Sequence, residues 1–249
     1  MFSVVIPIYN HAKFLRQAVE SALRCPLADE VLLLDDGSSD GSAQMAAHLA
    51  TAHPSRLRNV TPSDRHNRGA HHRLNELIRM AEQPWIAVLN SDDMFVPERF
   101  EKVIAEPTFT ESDFVFGNIL LMDERGTLRG AKLGPFDFGM CHQGHGICHQ
   151  GHSDGGKMKA LLRVENYVVS TSNMIFRKSL YDRVGGFSAF RYVHDWDFAL
   201  RAMALGRPLY VPRFLTAYRV HSRNTIHEHP EKFDRERGAM LDRFKSEFP

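Results

Sequence analysis

Residues 88–99 read "VLNSDDMFVPER", where a buried-looking apolar run ends directly in two adjacent carboxylates, Asp92 and Asp93. Side by side they repel, and a cation between them and a ligand would relieve that repulsion. Paired aspartates are hard oxygen ligands suited to Mn²⁺ or Mg²⁺, and such an ion could clamp a diphosphate. A second acidic pair, Asp35-Asp36 in "DDGS", ends an earlier apolar run, and the first run of the chain ends in Pro7, Tyr9 and Asn10. An aspartate near an aromatic ring such as Tyr9 can accept from a base N–H while the ring stacks on the base, a way to hold uracil or a similar base.

These groups need a frame that brings strand ends together. "FSVVIPI" (2–8), "EVLLL" (30–34), "LRNV" (57–60) and "WIAVL" (85–89) are apolar runs of strand length. Between them, Phe14, Leu15, Ala18, Val19 and Ala22 form one helical stripe, with Asn10 available as its cap and Pro26 as its stop. Ala70, Leu74, Leu77, Ile78 and Ala81 form another, and the segment after "DDGSSDGS" opens a further helix. The βαβαβαβ order predicts a Rossmann-like parallel sheet flanked by helices, in which ligands bind beyond the carboxyl ends of the strands. Beyond residue 110 the pattern changes. "DFVFGNILLMDERGTLRG" reads as two strands and a turn, residues 131–156 as a long Gly- and His-rich loop, and "HDWDFALRAMALG" as a helix ending at Gly206. "PLYV" and "TAYRV" read as two short closing strands. The tail 227–249 carries Phe233, Met240, Leu241, Phe244 and Phe248 at helical spacing among charges of both signs, and is expected to pack back on the domain.

The bulk numbers agree with an ordinary globular α/β chain. It has 249 residues, 43% hydrophobic and 24% charged, and a net charge of +1 that offers no basic field for nucleic acid. Three cysteines make no disulfide framework, which favours a reducing cytoplasm. "MFSVVIPIYN" reads as a strand rather than a signal peptide, and no run approaches the ~20 apolar residues of a membrane span. Neither a Walker loop nor a GxGxxG turn is present.

"VVIPIYN", "LLLDDGSSDGS", "NRGAHHRLNELI", "WIAVLNSDDMFVPERF" and "HDWDFALR" together resemble the family 2 glycosyltransferases, over roughly residues 3–221. The resemblance implies the GT-A fold, with a nucleotide-sugar-binding half (1–110) and a mixed acceptor-side catalytic half (111–226) in one domain, followed by the charged helical tail (227–249). It implies nucleotide contacts at Pro7, Tyr9, Asn10 and Asp36, with Asp35 adjacent, and a phosphate contact at Arg65 or Arg68. Asp92 would face the sugar nucleotide and Asp93 the metal, with His221 of "YRVHSRNT" near the metal and diphosphate. Asp195 matches the catalytic acidic position, although His194 precedes it where Glu is frequent. Asp197, two residues on, reads as a solvated helix acid, and Trp196 as either a core residue or a wall of the acceptor site. The implied reaction is inverting transfer from a nucleoside-diphosphate sugar, UDP-sugar favoured, to a saccharide or lipid-linked saccharide hydroxyl in bacterial surface polysaccharide or related glycan synthesis. The enzyme would be a hexosyl- or N-acetylhexosaminyl-transferase, cytoplasmic or peripheral at the inner membrane face.

"CHQGHGICHQGH" (141–152) repeats CHQGH at a seven-residue step, so Cys141, His145, Cys148 and His152 could close a structural Zn²⁺ site, or the segment is a duplicated loop without metal. A sugar-phosphate nucleotidylyltransferase should carry a glycine-rich basic loop that "IPIYNHAKF" lacks. A glycosidase would use two carboxylates without a nucleotide pocket. The non-catalytic alternative, a nucleotide-sugar-binding or zinc-stabilised interaction module, has no need of an acid at Asp195.

Overall fold

Alternation along the first strands decides the layering. A computed structural model describes residues 1–63, 66–134, 155–222, 224 and 229–248. In β1 (Phe2–Ile8), Val4, Ile6 and Ile8 face one apolar cluster and Val5 the other. In β2 (Ala28–Asp35), Val31 and Leu33 face the first cluster, Leu32 and Leu34 the second. In β4 (Trp85–Val88), Trp85 and Ala87 divide from Ile86 and Val88 in the same way. A strand that is apolar on both of its period-two faces must be covered on both, which is why these runs show no polar alternation.

Helices α1 (Ala12–Leu23), α2 (Ser42–Ala52) and α4 (Arg99–Ile104) cover one face through Leu15, Val19, Leu49 and Phe100. Helix α3 (Ala70–Met80), α5 (Gly155–Leu162), α6 (Lys178–Val184), α7 (His194–Leu205) and α8 (Pro230–Glu247) cover the other through Leu77, Met158, Leu180, Phe198 and Phe244. The remaining strands are β3 (Leu57–Asn59), β5 (Met94–Phe95), β6 (Phe114–Met122), β7 (Leu128–Lys132), β8 (Ile175–Arg177) and β9 (Pro208–Arg219). One nine-stranded sheet runs β3-β2-β1-β4-β8-β6-β9-β5, with β7 on β6. It is parallel from β3 to β4. Beyond that it is mixed, because β8 is antiparallel to both β4 and β6 while β9 is parallel to β6.

Three local expectations change. The two closing strands are one, β9, whose pairing with β6 absorbs Pro212 and Arg213 through register shifts around Asn118. Asn10 does not cap α1: its own φ is 53° and His11 stands at the cap. The orphan N–H groups there are instead met from the next loop, His11 N donating to Ser42 Oγ (3.0 Å) and Ala12 N to Asp40 Oδ2 (3.0 Å). Of the expected loop 131–156, Ala131 and Lys132 belong to β7 and Gly155 opens α5. The paired CHQGH motif, with Cys141, His145, Cys148 and His152, lies outside the described residues, as does Arg65. In the tail, Met240 and Phe244 of α8 are buried in the core.

Candidate functional site

The site is assembled at the carboxyl ends of β1, β2 and β4, where three strands running the same way end side by side. Ile8 pairs with Asp35, so the residues following β1 stand next to the end of β2. Tyr9 is 47% exposed there, an aromatic left uncovered beside a buried acid. Pro7 is the partly covered residue of the strand, and Asn10 is locked to the neighbouring turn: its N–H donates to Ser38 Oγ (2.9 Å) and its Oδ1 accepts from Ser39 N (2.8 Å).

Asp35 is fully buried. Its Oδ2 accepts from Gly37 N (3.1 Å) and Ser38 N (3.0 Å), while its Oδ1 has no hydrogen-bond partner among the described residues. An unpaired buried carboxylate oxygen costs free energy unless a ligand N–H reaches it. Asp36 is committed to the protein itself. Its Oδ1 accepts from Arg68 N (2.8 Å) and Arg73 Nε (2.7 Å), and its Oδ2 accepts from Gly69 N (2.8 Å). That carboxylate neutralises the fully buried Arg73 and pins the chain entering α3. The Arg68 side chain is 42% exposed, with Nη1 3.9 Å from Glu76 Oε1.

At the end of β4 the second pair divides similarly. Asp93 is fully buried, accepting from Ser172 Oγ (2.6 Å) at Oδ2 and from Arg219 N (2.8 Å) at Oδ1. Burial, reinforced by the Asp92 charge, pushes its pKa well above the usual carboxylate range. Asp93, expected on the metal, is thus directed at the protein, and Asp92 is the acid that meets the histidines. Asp92 Oδ2 lies 3.0 Å from His221 Nε2 and 3.8 Å from His11 Nε2. Burial works upward on Asp92 too, but the hydrogen bond to His221 and the charges of His11 and His221 outweigh it and hold the pKa below the ordinary value. Burial and the Asp92 charge push Asp93 upward while the histidines pull Asp92 downward, so the two acids of this pair are shifted in opposite directions.

The backbone holding this pair is stitched from three directions. Asn90 N donates to Ser172 Oγ (2.9 Å), and Thr171 Oγ1 donates to Asn90 Oδ1 (2.8 Å), joining β4 to the short turn Thr171–Asn173. Arg219, at the end of β9 and fully buried, donates from Nε to the Asp92 carbonyl (2.7 Å) and from Nη2 to Gln17 Oε1 (2.8 Å). Sequence reading missed Arg219, because one arginine in an apolar strand looks like an ordinary outward residue.

Asp195 opens α7, where its Oδ1 accepts from Trp196 N (2.7 Å) and its Oδ2 from Asn166 Nδ2 (3.3 Å). Burial raises its pKa, with the His194 charge and these hydrogen bonds opposing. Asn166 is held in turn by Val169 N, which donates to its Oδ1 (3.0 Å) from a residue with φ of 73°. That left-handed backbone is unusual for a β-branched side chain. Burial raises the pKa of the Tyr218 phenol, and the charges of Asp93, Asp92 and Asp195 raise it further.

One expectation around Asp195 is corrected, and of the two readings of Trp196 one holds. Asp197 is no solvated acid: it is buried, with Oδ2 accepting from Arg201 Nη2 (2.6 Å) and Oδ1 meeting Arg243 of α8. Trp196 is a core residue, its Nε1 donating to Leu162 O (2.7 Å). On the same side, a cleft of about 410 Å³ lies between the segment before α7 and the start of α8, lined by Arg191, Tyr192, His229, Lys232, Arg235 and Glu236. Among the described residues no helix is long and apolar enough to cross a membrane.

Comparison with known proteins bears on the family and the fold. Residues 3–185 match the family profile "Glycosyl transferase family 2". The amylovoran biosynthesis glycosyltransferase AmsE of Erwinia amylovora is 29% identical over 213 residues, 84% of this chain and 72% of that protein. The succinoglycan biosynthesis protein ExoU of Rhizobium meliloti (strain 1021) is 36% identical over 120 residues, 48% of this chain and 33% of that protein. The chain spans about a third to two fifths of the length of the first curated relatives it matches. Among solved structures, S. aureus TarS in complex with UDP-GlcNAc superposes with a TM-score of 0.70 at 16% identity, covering 98% of this chain and 66% of that one. The mannosyltransferase PcManGT from Pyrobaculum calidifontis, in complex with GDP-Man and Mn²⁺, gives 0.61 at 18% identity, covering 90% of this chain and 58% of that one. At such identities the likeness is one of fold, the GT-A fold.

Proposed function

We propose that this chain, which belongs to glycosyl transferase family 2, moves a sugar from a nucleoside-diphosphate sugar to an acceptor hydroxyl with inversion at the anomeric carbon. The acceptor is a saccharide or lipid-linked saccharide, met in the cytoplasm or at the inner membrane face during polysaccharide synthesis. AmsE and ExoU, named for such pathways, support that setting. Tyr9 and the unpaired Asp35 Oδ1 form the base subsite, suited to the N–H of a uracil, so a UDP-sugar is the favoured donor. The sugar is of hexosyl or N-acetylhexosaminyl type.

The observation that carries this reading is the buried corner at the strand ends, where Asp92 Oδ2 lies 3.0 Å from His221 Nε2 and Asp35 Oδ1, at the neighbouring strand end, has no hydrogen-bond partner among the described residues. Asp195 takes the proton from the acceptor hydroxyl as that oxygen attacks, and a raised pKa brings a carboxylate nearer to the working pH of a general base. Asn166 and the Trp196 N–H orient it. Asp92 and His221, 3.0 Å apart and buried, fit a divalent ion such as Mn²⁺ or Mg²⁺. When bound, the ion supplies Lewis-acid stabilisation of the departing diphosphate.

A thermal-shift screen of UDP-, GDP- and dTDP-sugars with and without Mn²⁺ tests the donor assignment, since a ligand specific for the native state raises its stability by mass action. With the donor found, Asp195→Asn should leave its shift nearly intact and lower transfer by about 10²–10⁴-fold. Transfer at the wild-type rate in that variant would remove Asp195 from the mechanism.

A further inference from the structure

We infer that His11 is a third donor beside Asp92 and His221, so that this site is built from two imidazoles and one carboxylate and selects Mn²⁺ or Co²⁺ over Mg²⁺. The inference rests on the proposed reading of this corner as the cation site.

The three side chains come from distant parts of the chain: the turn after β1, the end of β4 and the end of β9. One donor atom from each lies within 4.8 Å of the others. The two imidazoles approach the same carboxylate oxygen, His221 Nε2 at 3.0 Å and His11 Nε2 at 3.8 Å. An ion bound at about 2.1 Å from each donor needs donors about 3–4 Å apart, which both of these distances already satisfy. The rings stand edge to face, 5.7 Å between centroids and 89° between planes, and are not stacked on each other. Phe14 closes one side, 5.2 Å from the His221 ring.

The second nitrogen of His11 gives the stronger argument. Its Nδ1 lies 2.9 Å from the hydroxyl of Ser91, which is itself buried. With Ser91 Oγ accepting from Nδ1–H, the lone pair is left on Nε2, the atom facing Asp92. Metal-bound histidines are oriented in this way, the remote N–H held by an outer partner that fixes tautomer and ring plane. Ser91 directly precedes the two acids, where a turn would accept almost any small residue, and His11 occupies a helix cap position without making a side-chain capping bond. Both choices gain a reason if the ring serves a ligand. The consequence is selectivity. Imidazole suits borderline transition ions, whereas Mg²⁺ prefers oxygen and holds its water. Each added imidazole therefore widens the Mn²⁺-to-Mg²⁺ ratio.

The test uses the full chain and the metals alone. Mn²⁺, Co²⁺ and Mg²⁺ are titrated calorimetrically into wild type, His11→Ala, His11→Glu, His221→Ala and Asp92→Asn, and the visible spectrum of bound Co²⁺ is recorded. Removal of His11 should weaken Mn²⁺ and Co²⁺ by at least the ~10–100-fold that loss of an outer-shell partner produces, leave Mg²⁺ within about twofold, and change the Co²⁺ bands. His11→Glu, which keeps a long side chain and supplies a hard oxygen, should narrow the Mn²⁺-to-Mg²⁺ ratio by strengthening Mg²⁺; it decides the matter if His11→Ala does not fold. Unchanged ratios and an unchanged Co²⁺ spectrum in the His11 variants, with binding lost in Asp92→Asn and His221→Ala, would overturn the role of His11 and leave the cation site standing. Unchanged binding in every variant would overturn both.

Discussion

The chain carries adjacent acids at two strand ends, and the two pairs are used alike. At the end of β2, Asp36 gives both oxygens to Arg73 and the backbone entering α3, while Asp35 keeps one oxygen unpaired. At the end of β4, Asp93 gives both oxygens to Ser172 and Arg219, while Asp92 meets two histidines. In each pair the second acid builds the corner and the first faces it. The pairs differ in what balances the buried charge. Asp36 has a buried guanidinium hydrogen-bonded to it, whereas Asp93 accepts from a hydroxyl and an amide and meets the Arg219 guanidinium through its charge alone, its pKa raised by burial and by Asp92. Adjacent carboxylates can therefore divide their roles. One can be absorbed by the fold, and only its neighbour has to look to a ligand.

That comparison can be broken at its strongest point first. Asp36→Ala leaves the buried Arg73 with Glu76 as its remaining carboxylate partner and should destabilise the chain by about 3–5 kcal/mol, read from urea unfolding. A loss of donor binding with unchanged stability would mean Asp36 belongs to the ligand after all. Asp35→Asn should do the reverse. Its oxygen can still accept from Gly37 and Ser38, but an NH₂ then points where an acceptor stood, and donor affinity should fall by about 1–3 kcal/mol with stability nearly unchanged. Calorimetric titration of the donor checks it.

The smallest effect tests the acceptor side. The Asn166 hydrogen bond lowers the Asp195 pKa against the dominant upward push of burial. Asn166→Ala therefore lets that pKa rise further. A base works only when deprotonated, so the acid limb of the kcat profile should move to higher pH, with donor KM little changed. An acid limb that stays in place would detach Asn166 from Asp195.

Much of this frame was legible in the sequence, for a physical reason. Strands covered on both faces need unbroken apolar runs, and "FSVVIPI", "EVLLL" and "WIAVL" gave away β1, β2 and β4 and the acids behind them. Asp92, His221 and Asp195 were found as candidates, and the fold brings Asp92 and His221 within 3.0 Å of each other. The roles within each pair were not legible, because which of two adjacent carboxylates turns inward depends on Arg73, Ser172 and Arg219, which approach from 37, 79 and 126 residues away. β9 was split in two because Pro212 reads as a breaker, while a register shift against β6 accommodates it. His11 was passed over since a polar residue after Asn10 reads as turn chemistry, and only the fold brings it to Asp92.

The division of labour within the second pair is the central claim, and donor binding titrated with and without Mn²⁺ in Asp92→Asn and Asp93→Asn tests it most directly. The Mn²⁺-dependent gain in donor affinity should disappear in Asp92→Asn and persist in Asp93→Asn. The opposite pattern, with the gain lost at Asp93 and kept at Asp92, would contradict it.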